Sequence, residues 1–142
     1  MCALLVCLAP FPAGAINPRL PPSSYLLDHW GGRDGFPEES ISAITQTRDG
    51  YLWIGTPSGI IRYDGQDFTL FDRSQLPGAS YFRDLQLTAA EDGSLWAWNY
   101  LGEVWRMNQG RFVRQAGESG DPLGPVQWMG HGRPGSLLLV SR

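Results

Sequence analysis

One phrase recurs along this chain at a nearly fixed interval, and that recurrence limits the fold more than any other feature. Residues 49–56 read Asp-Gly-Tyr-Leu-Trp-Ile-Gly-Thr. Forty-three residues later, 92–99 read Asp-Gly-Ser-Leu-Trp-Ala-Trp-Asn, and forty-two further on, 134–141 read Pro-Gly-Ser-Leu-Leu-Leu-Val-Ser. A period in this range marks a repeat architecture, in which one unit cannot bury its apolar face alone and must stack on the next.

The content of each unit is β. Strands are expected over 41–47, 51–56, 60–64 and 67–72, and again over 84–90, 94–99, 103–108 and 111–116. A third unit offers 126–130 and 136–141. Each break between strands holds Gly, Asp, Ser or Pro, the residues that hairpin turns require. Gly59 aligns with Gly102, and Phe68 with Phe112 after one inserted residue. No window of a dozen residues has helical apolar spacing without an interrupting Gly or Pro. Four short antiparallel strands in little more than thirty residues make one blade of a β-propeller. The expected fold is therefore all-β: blades at about 41–72 and 84–116, and a partial third over 126–142. A ring closes with four to eight blades, and at this period even four need roughly 170 residues. The chain has 142. The expectation is an incomplete ring, a truncated piece of a longer product.

Charge excludes one class of partner. The net charge is −3, whereas a nucleic-acid footprint is basic. Both cysteines, Cys2 and Cys7, lie at the very start, so the rest of the chain has no disulfide and no thiolate metal site. They sit in an apolar run followed by Ala13-Gly14-Ala15. That pattern resembles a secretory signal peptide over 1–15, cleaved after Ala15, although no basic residue precedes the run. It is too short to span a bilayer as a helix. Val6 is bulkier than a lipoprotein site before Cys7 wants. Residues 16–24, with three prolines, read as an extended leader, and 25–30 as a short candidate strand.

The first unit resembles the two-component regulator propeller repeat. Gly35-Phe36-Pro37, Asp49-Gly50, Leu52-Trp53-Ile54-Gly55-Thr56, Gly59-Ile60, Tyr63-Asp64-Gly65 and Phe68 occupy the places of that repeat. The second unit keeps Asp92, Gly93, Leu95, Trp96, Gly102 and Phe112 but has Trp98-Asn99 for Gly-Thr. The third retains Gly135 and an apolar run. The resemblance implies a periplasmic sensor that precedes a connector, a membrane helix and a cytoplasmic output domain similar to a histidine kinase or a diguanylate cyclase. Contact with the membrane is then expected only through such downstream segments, and a receptor dimer only in the full-length parent. It also implies that the strand over 25–30 pairs into the last blade.

Each candidate site has a bland reading beside it. Trp53 and Trp96 occupy matching places and are expected to wedge between blades rather than stack a ligand. Asp49 and Asp92 are turn residues rather than a metal pair. The Gly31–Gly35 run is a turn, since no lysine follows to make a phosphate cradle. His29 and His131 have no partner at ligand spacing. No catalytic set, metal site or cofactor is expected. Trp98, Tyr100, Trp105 and Trp128 depart from the repeat, and departures are where a repeat protein can place binding. Trp98 and Tyr100 are the expected contact for a small molecule or glycan. The functional expectation is a non-catalytic, exported ligand sensor; the alternative is a fragment of a secreted propeller enzyme or carbohydrate-binding propeller.

Overall fold

The computed structural model describes residues 21, 23, 28–36, 40–116, 124–131 and 137–141. The expected signal peptide lies outside these, as does the leader apart from positions 21 and 23.

Among the described residues ten strands follow in order: β1 Ala43–Gln46, β2 Leu52–Thr56, β3 Gly59–Tyr63, β4 Phe68–Phe71, β5 Gln86–Ala89, β6 Leu95–Trp98, β7 Val104–Asn108, β8 Arg111–Gln115, β9 Val126–His131 and β10 Leu137–Ser141. They form two four-stranded meanders, β1-β2-β3-β4 and β5-β6-β7-β8, and a two-stranded hairpin, β9-β10. Every pairing is antiparallel. The fold is thus all-β with propeller-type blades, and a short 3-10 turn, Gly32–Asp34, precedes the strands.

Observed strands are shorter than their sequence windows where turn chemistry intrudes. Thr47 leaves the ladder to serve the β1–β2 turn, where its amide bonds the Tyr51 carbonyl at 3.1 Å. Asp84 has φ 61, so the strand expected from 84 begins only at Gln86. The strand expected over 25–30 is not formed in its described part. Residues 25–27 lie outside the described set, and Trp30 instead packs its ring on Tyr63 and Phe68, at 4.8 and 5.7 Å between centroids.

Register shows how far the repeat is exact. Thr45 pairs with Trp53, and Thr88 with Trp96; Ile44 pairs with Ile54, and Leu87 with Ala97. These partners differ by the sequence period, so Trp53 and Trp96 are equivalent. The sequence alignment of Gly59 with Gly102 is corrected. Gly59 sits opposite Thr56, but the residue bonded to Asn99, the equivalent of Thr56, is Glu103. The extra residue therefore falls in the β6–β7 turn, where Gly102 takes φ 80. A side chain there would collide with the Gly124 carbonyl. Phe68 and Phe112 remain equivalent, opposite Tyr63 and Met107.

The blades stack in chain order. The face of the first blade that carries Trp53, Ile60 and Phe71 packs on the face of the second that carries Leu87, Ala97, Trp105 and Phe112. The far face of the second blade, with Trp98 and Val104, packs on Val126 and Met129 of the hairpin. We call these the forward and back faces of a blade. Gly55 lets the first contact close. A Cβ there would lie 2.9 Å from Ser42 Oγ and 3.2 Å from the Leu85 carbonyl oxygen. Ser42 Oγ donates across the interface to that same carbonyl at 2.7 Å.

Candidate ligand-facing turn of the second blade

Each repeat tryptophan lies at a blade interface. Trp53 sits between Phe71 of its own blade and Phe112 of the next, at 5.6 and 6.2 Å, and its indole N–H donates to Thr47 Oγ1 at 2.9 Å. Trp96 is half-buried against the cluster shared with the hairpin, donates to Ser94 Oγ at 3.0 Å, and has the Arg106 guanidinium over its ring. Asp49 and Asp92 close hairpin turns. Asp49 accepts the Thr47 hydroxyl, and Asp92 accepts the amide and hydroxyl of Ser94 at 2.9 and 2.6 Å. The Ser94 hydrogen bonds hold the Asp92 carboxyl below the usual aspartate range. Asp92 also pairs with Arg106 at 2.8 Å on the surface. Asp64 plays the same part at the β3–β4 turn, accepting the amides of Gln66 and Asp67.

Trp98 and Tyr100 do not come together. Trp98 is 5 % exposed, packed with Val104, Val126 and Met129. It fills the interface at the place where the first blade has Gly55, so its ring offers no face to a ligand. Trp105 is also buried, donating to the Pro77 carbonyl at 3.0 Å. Tyr100 is 53 % exposed at the tip of the β6–β7 turn. It meets Tyr81 edge-on, with centroids 5.5 Å apart and planes at 89°. Tyr81 comes from the β4–β5 connection, so two loops of one blade end supply the pair, with Leu101 exposed beside them.

Two buried polar residues, which the sequence reading did not single out, hold these loops. Asn99 is fully buried, and its Oδ1 accepts the amides of Leu101 and Glu103, both at 3.1 Å. Its Nδ2 donates to the Tyr81 carbonyl at 2.9 Å and to Glu103 Oε2 at 2.6 Å. One amide therefore ties both tyrosine-bearing loops. Glu103 accepts in addition the Ser80 amide at 3.1 Å and the Ser80 hydroxyl at 2.8 Å, and Arg114 lies 3.8 Å away. Burial pushes the Glu103 carboxyl up, but the Ser80 and Asn99 hydrogen bonds and Arg114 outweigh it, and the group stays below the usual glutamate range. A buried polar network with its hydrogen bonds made rigidifies what it holds. The one available signal was register: Asn99 and Glu103 stand where the first blade has Thr56 and Gly59.

A second concavity lies on the back face of the first blade, about 260 Å³, lined by Gly32, Gly35, Phe36, Ile61, Phe68 and Leu70. Its lining has no acid, base or nucleophile. His29 is exposed, and among the described residues no group of three His, Cys, Asp or Glu could hold a metal.

Antiparallel four-stranded blades packed face to face, with tryptophans at their joints, define a propeller-type fold. The family model described as two component regulator propeller matches residues 35–58. In fold it is similar to the extracellular domain of a hybrid two component system from B. thetaiotaomicron, with a TM-score of 0.60 and 18% identity. That match covers 83% of this chain and 17% of the other. No curated protein matches the chain. Among the described residues no helix is long and apolar enough to cross a membrane.

Proposed function

We propose that this chain is the ligand-sensing, extracytoplasmic propeller region of a bacterial signal-transduction receptor, and that it is not itself an enzyme. The observation that carries the reading is the family-model match over residues 35–58. The apolar leader ending in Ala13-Gly14-Ala15 supports export, and the structural neighbour is an extracellular domain. In the parent receptor, further blades close the ring and a kinase or cyclase domain supplies the output. The contact surface is the Tyr81–Tyr100 pair in place of Trp98. An exposed aromatic ring on a held turn suits the apolar face of a glycan or another flat small molecule. A ligand that binds one receptor orientation better than another shifts their balance and so signals.

Two measurements test this. A reporter active only in the periplasm, fused after Arg142, should be active; silence with a working cytoplasmic control refutes export. A panel of soluble oligosaccharides and small aromatic compounds should include one that raises the melting temperature of the chain. Tyr100→Ala should abolish that shift without lowering the ligand-free melting temperature.

A further inference from the structure

The Tyr81–Tyr100 pair lies on neither face of the second blade. Packed neighbours meet both of those faces, and the pair sits at the loop end between them. The repeat does not call for it. The first blade has Pro57 where the second has Tyr100, since Asn99 takes the place of Thr56. The chain is held on each side of both rings. Ser80, before Tyr81, gives its amide to Glu103 at 3.1 Å and receives Arg73 on its carbonyl at 3.2 Å. Phe82, after Tyr81, is buried with the Arg73 guanidinium over its ring. Tyr100 follows the buried Asn99 and precedes Leu101, whose amide bonds Asn99 Oδ1 at 3.1 Å. Both rings are thus fixed at their bases before a ligand arrives, which lowers the ordering cost of binding.

With centroids 5.5 Å apart and planes at 89°, the rings form the two walls of a right-angled corner. Tyr100 is 53 % exposed and Tyr81 half-buried, so solvent reaches both walls. A flat group covers one wall at a time, whereas a compact, tetrahedral group touches both. Aromatic faces carry the negative part of the ring quadrupole, so such a corner attracts cations and repels anions. Formal charges on the two loops do not override this. Asp84 and Arg83 are exposed side by side, and Glu103 is paired with Arg114 at 3.8 Å. The kind of cation follows from its hydrogen bonds. A primary ammonium is strongly hydrated and brings three donors. The Glu103 carboxylate behind the loops is already taken by Ser80 and Asn99. A quaternary ammonium has no donor to satisfy, and its charge is spread over methyl groups that pack on ring faces.

We propose that the corner between Tyr81 and Tyr100 binds the methylated head of a quaternary ammonium compound. This rests on the reading of the pair as the contact surface, and it narrows the ligand to one that carries such a group. The methyl groups seat against both ring faces, with the exposed Leu101 along the rim.

NMR titration of the purified chain with isotope-labelled tyrosine rings tests it. The probes are choline and its neutral isostere, in which carbon replaces the nitrogen. Choline should shift the Tyr81 and Tyr100 ring signals saturably, and the isostere, equal in shape but uncharged, should bind about tenfold more weakly. Tyr100→Phe keeps a ring face and should keep choline binding. Tyr100→Leu keeps an apolar side chain without the quadrupole and should lose the preference for choline over the isostere. Both change an exposed side chain, and circular dichroism should be unchanged in both. The proposal is overturned if choline gives no saturable shift, if the isostere binds equally well, or if the preference survives Tyr100→Leu. Failure here is separable from failure of the contact-surface reading. That reading stands if an oligosaccharide or aromatic compound still raises the melting temperature through Tyr100, and it falls if Tyr100→Ala leaves every such shift intact.

Discussion

Replacing Trp53 by Ala should uncouple the first two blades. The ring is almost fully buried between Phe71 and Phe112, and its N–H is bonded to Thr47 Oγ1 at 2.9 Å. Truncating a buried tryptophan to alanine costs about 3–5 kcal/mol, because the surrounding side chains refill the space only in part. Trp53→Phe separates the two contributions. It keeps an aromatic ring in the joint but loses the hydrogen bond, and should cost about 1–2 kcal/mol. Since Trp53 and Phe112 belong to different blades, their coupling reports on the joint itself. A double-mutant cycle with Phe112→Ala should give a coupling of about 0.5–1.5 kcal/mol beyond simple area burial. Equilibrium urea unfolding, followed by far-ultraviolet circular dichroism, measures all four proteins. Fluorescence is the poorer probe, because six tryptophans contribute to it. The reasoning fails if Trp53→Ala stays within about 0.5 kcal/mol of wild type, the range of an ordinary surface change. It fails equally if the two substitutions add without coupling.

Gly55→Leu should destabilise by about 1–3 kcal/mol through overpacking, since its side chain would meet Ser42 Oγ and the Leu85 backbone; urea midpoints measure this, and an unchanged midpoint would show that the blades can part at no cost. Glu103→Gln tests the polar network by pH. The folded carboxyl lies below its ordinary value, so its stabilisation is complete above the unfolded pKa and is lost as pH falls through the folded one. Melting temperatures of wild type should therefore exceed those of the variant at neutral pH and converge with them on acidification. At neutral pH the larger change Glu103→Ala should cost about 1–3 kcal/mol, because the buried Asn99 amide loses an acceptor.

The blade was legible in sequence because its signals are local. Asp49-Gly50 and Asp92-Gly93 make turns by bonding their own backbone, and Gly50 and Gly93 supply φ values of 91 and 85. Strand windows and the equivalence of Trp53 with Trp96 follow from those turns and from the period. The candidate site was legible only in part. Tyr100 is exposed as the sequence reading needed, but Trp98 is an interface residue. A tryptophan's hydrophobicity is the same in a ligand groove and in a blade joint, and only the third unit's arrival over it decides between them.

What the sequence alone determined, then, is everything governed by neighbours along the chain: strand, turn, period and the face on which each apolar residue stands. Alternation at period two assigns Ile44 and Leu87 to the same face without any structure. The tertiary structure alone decided which of those faces is covered. Leu87 is buried and Ile44 is bare because only one of them has a blade in front of it. It also decided that one extra residue falls in the β6–β7 turn, and so brought Asn99 and Glu103 under Tyr81 and Tyr100. Those contacts join residues from separate loops, and their energy depends on burial and distance, which no local pattern encodes.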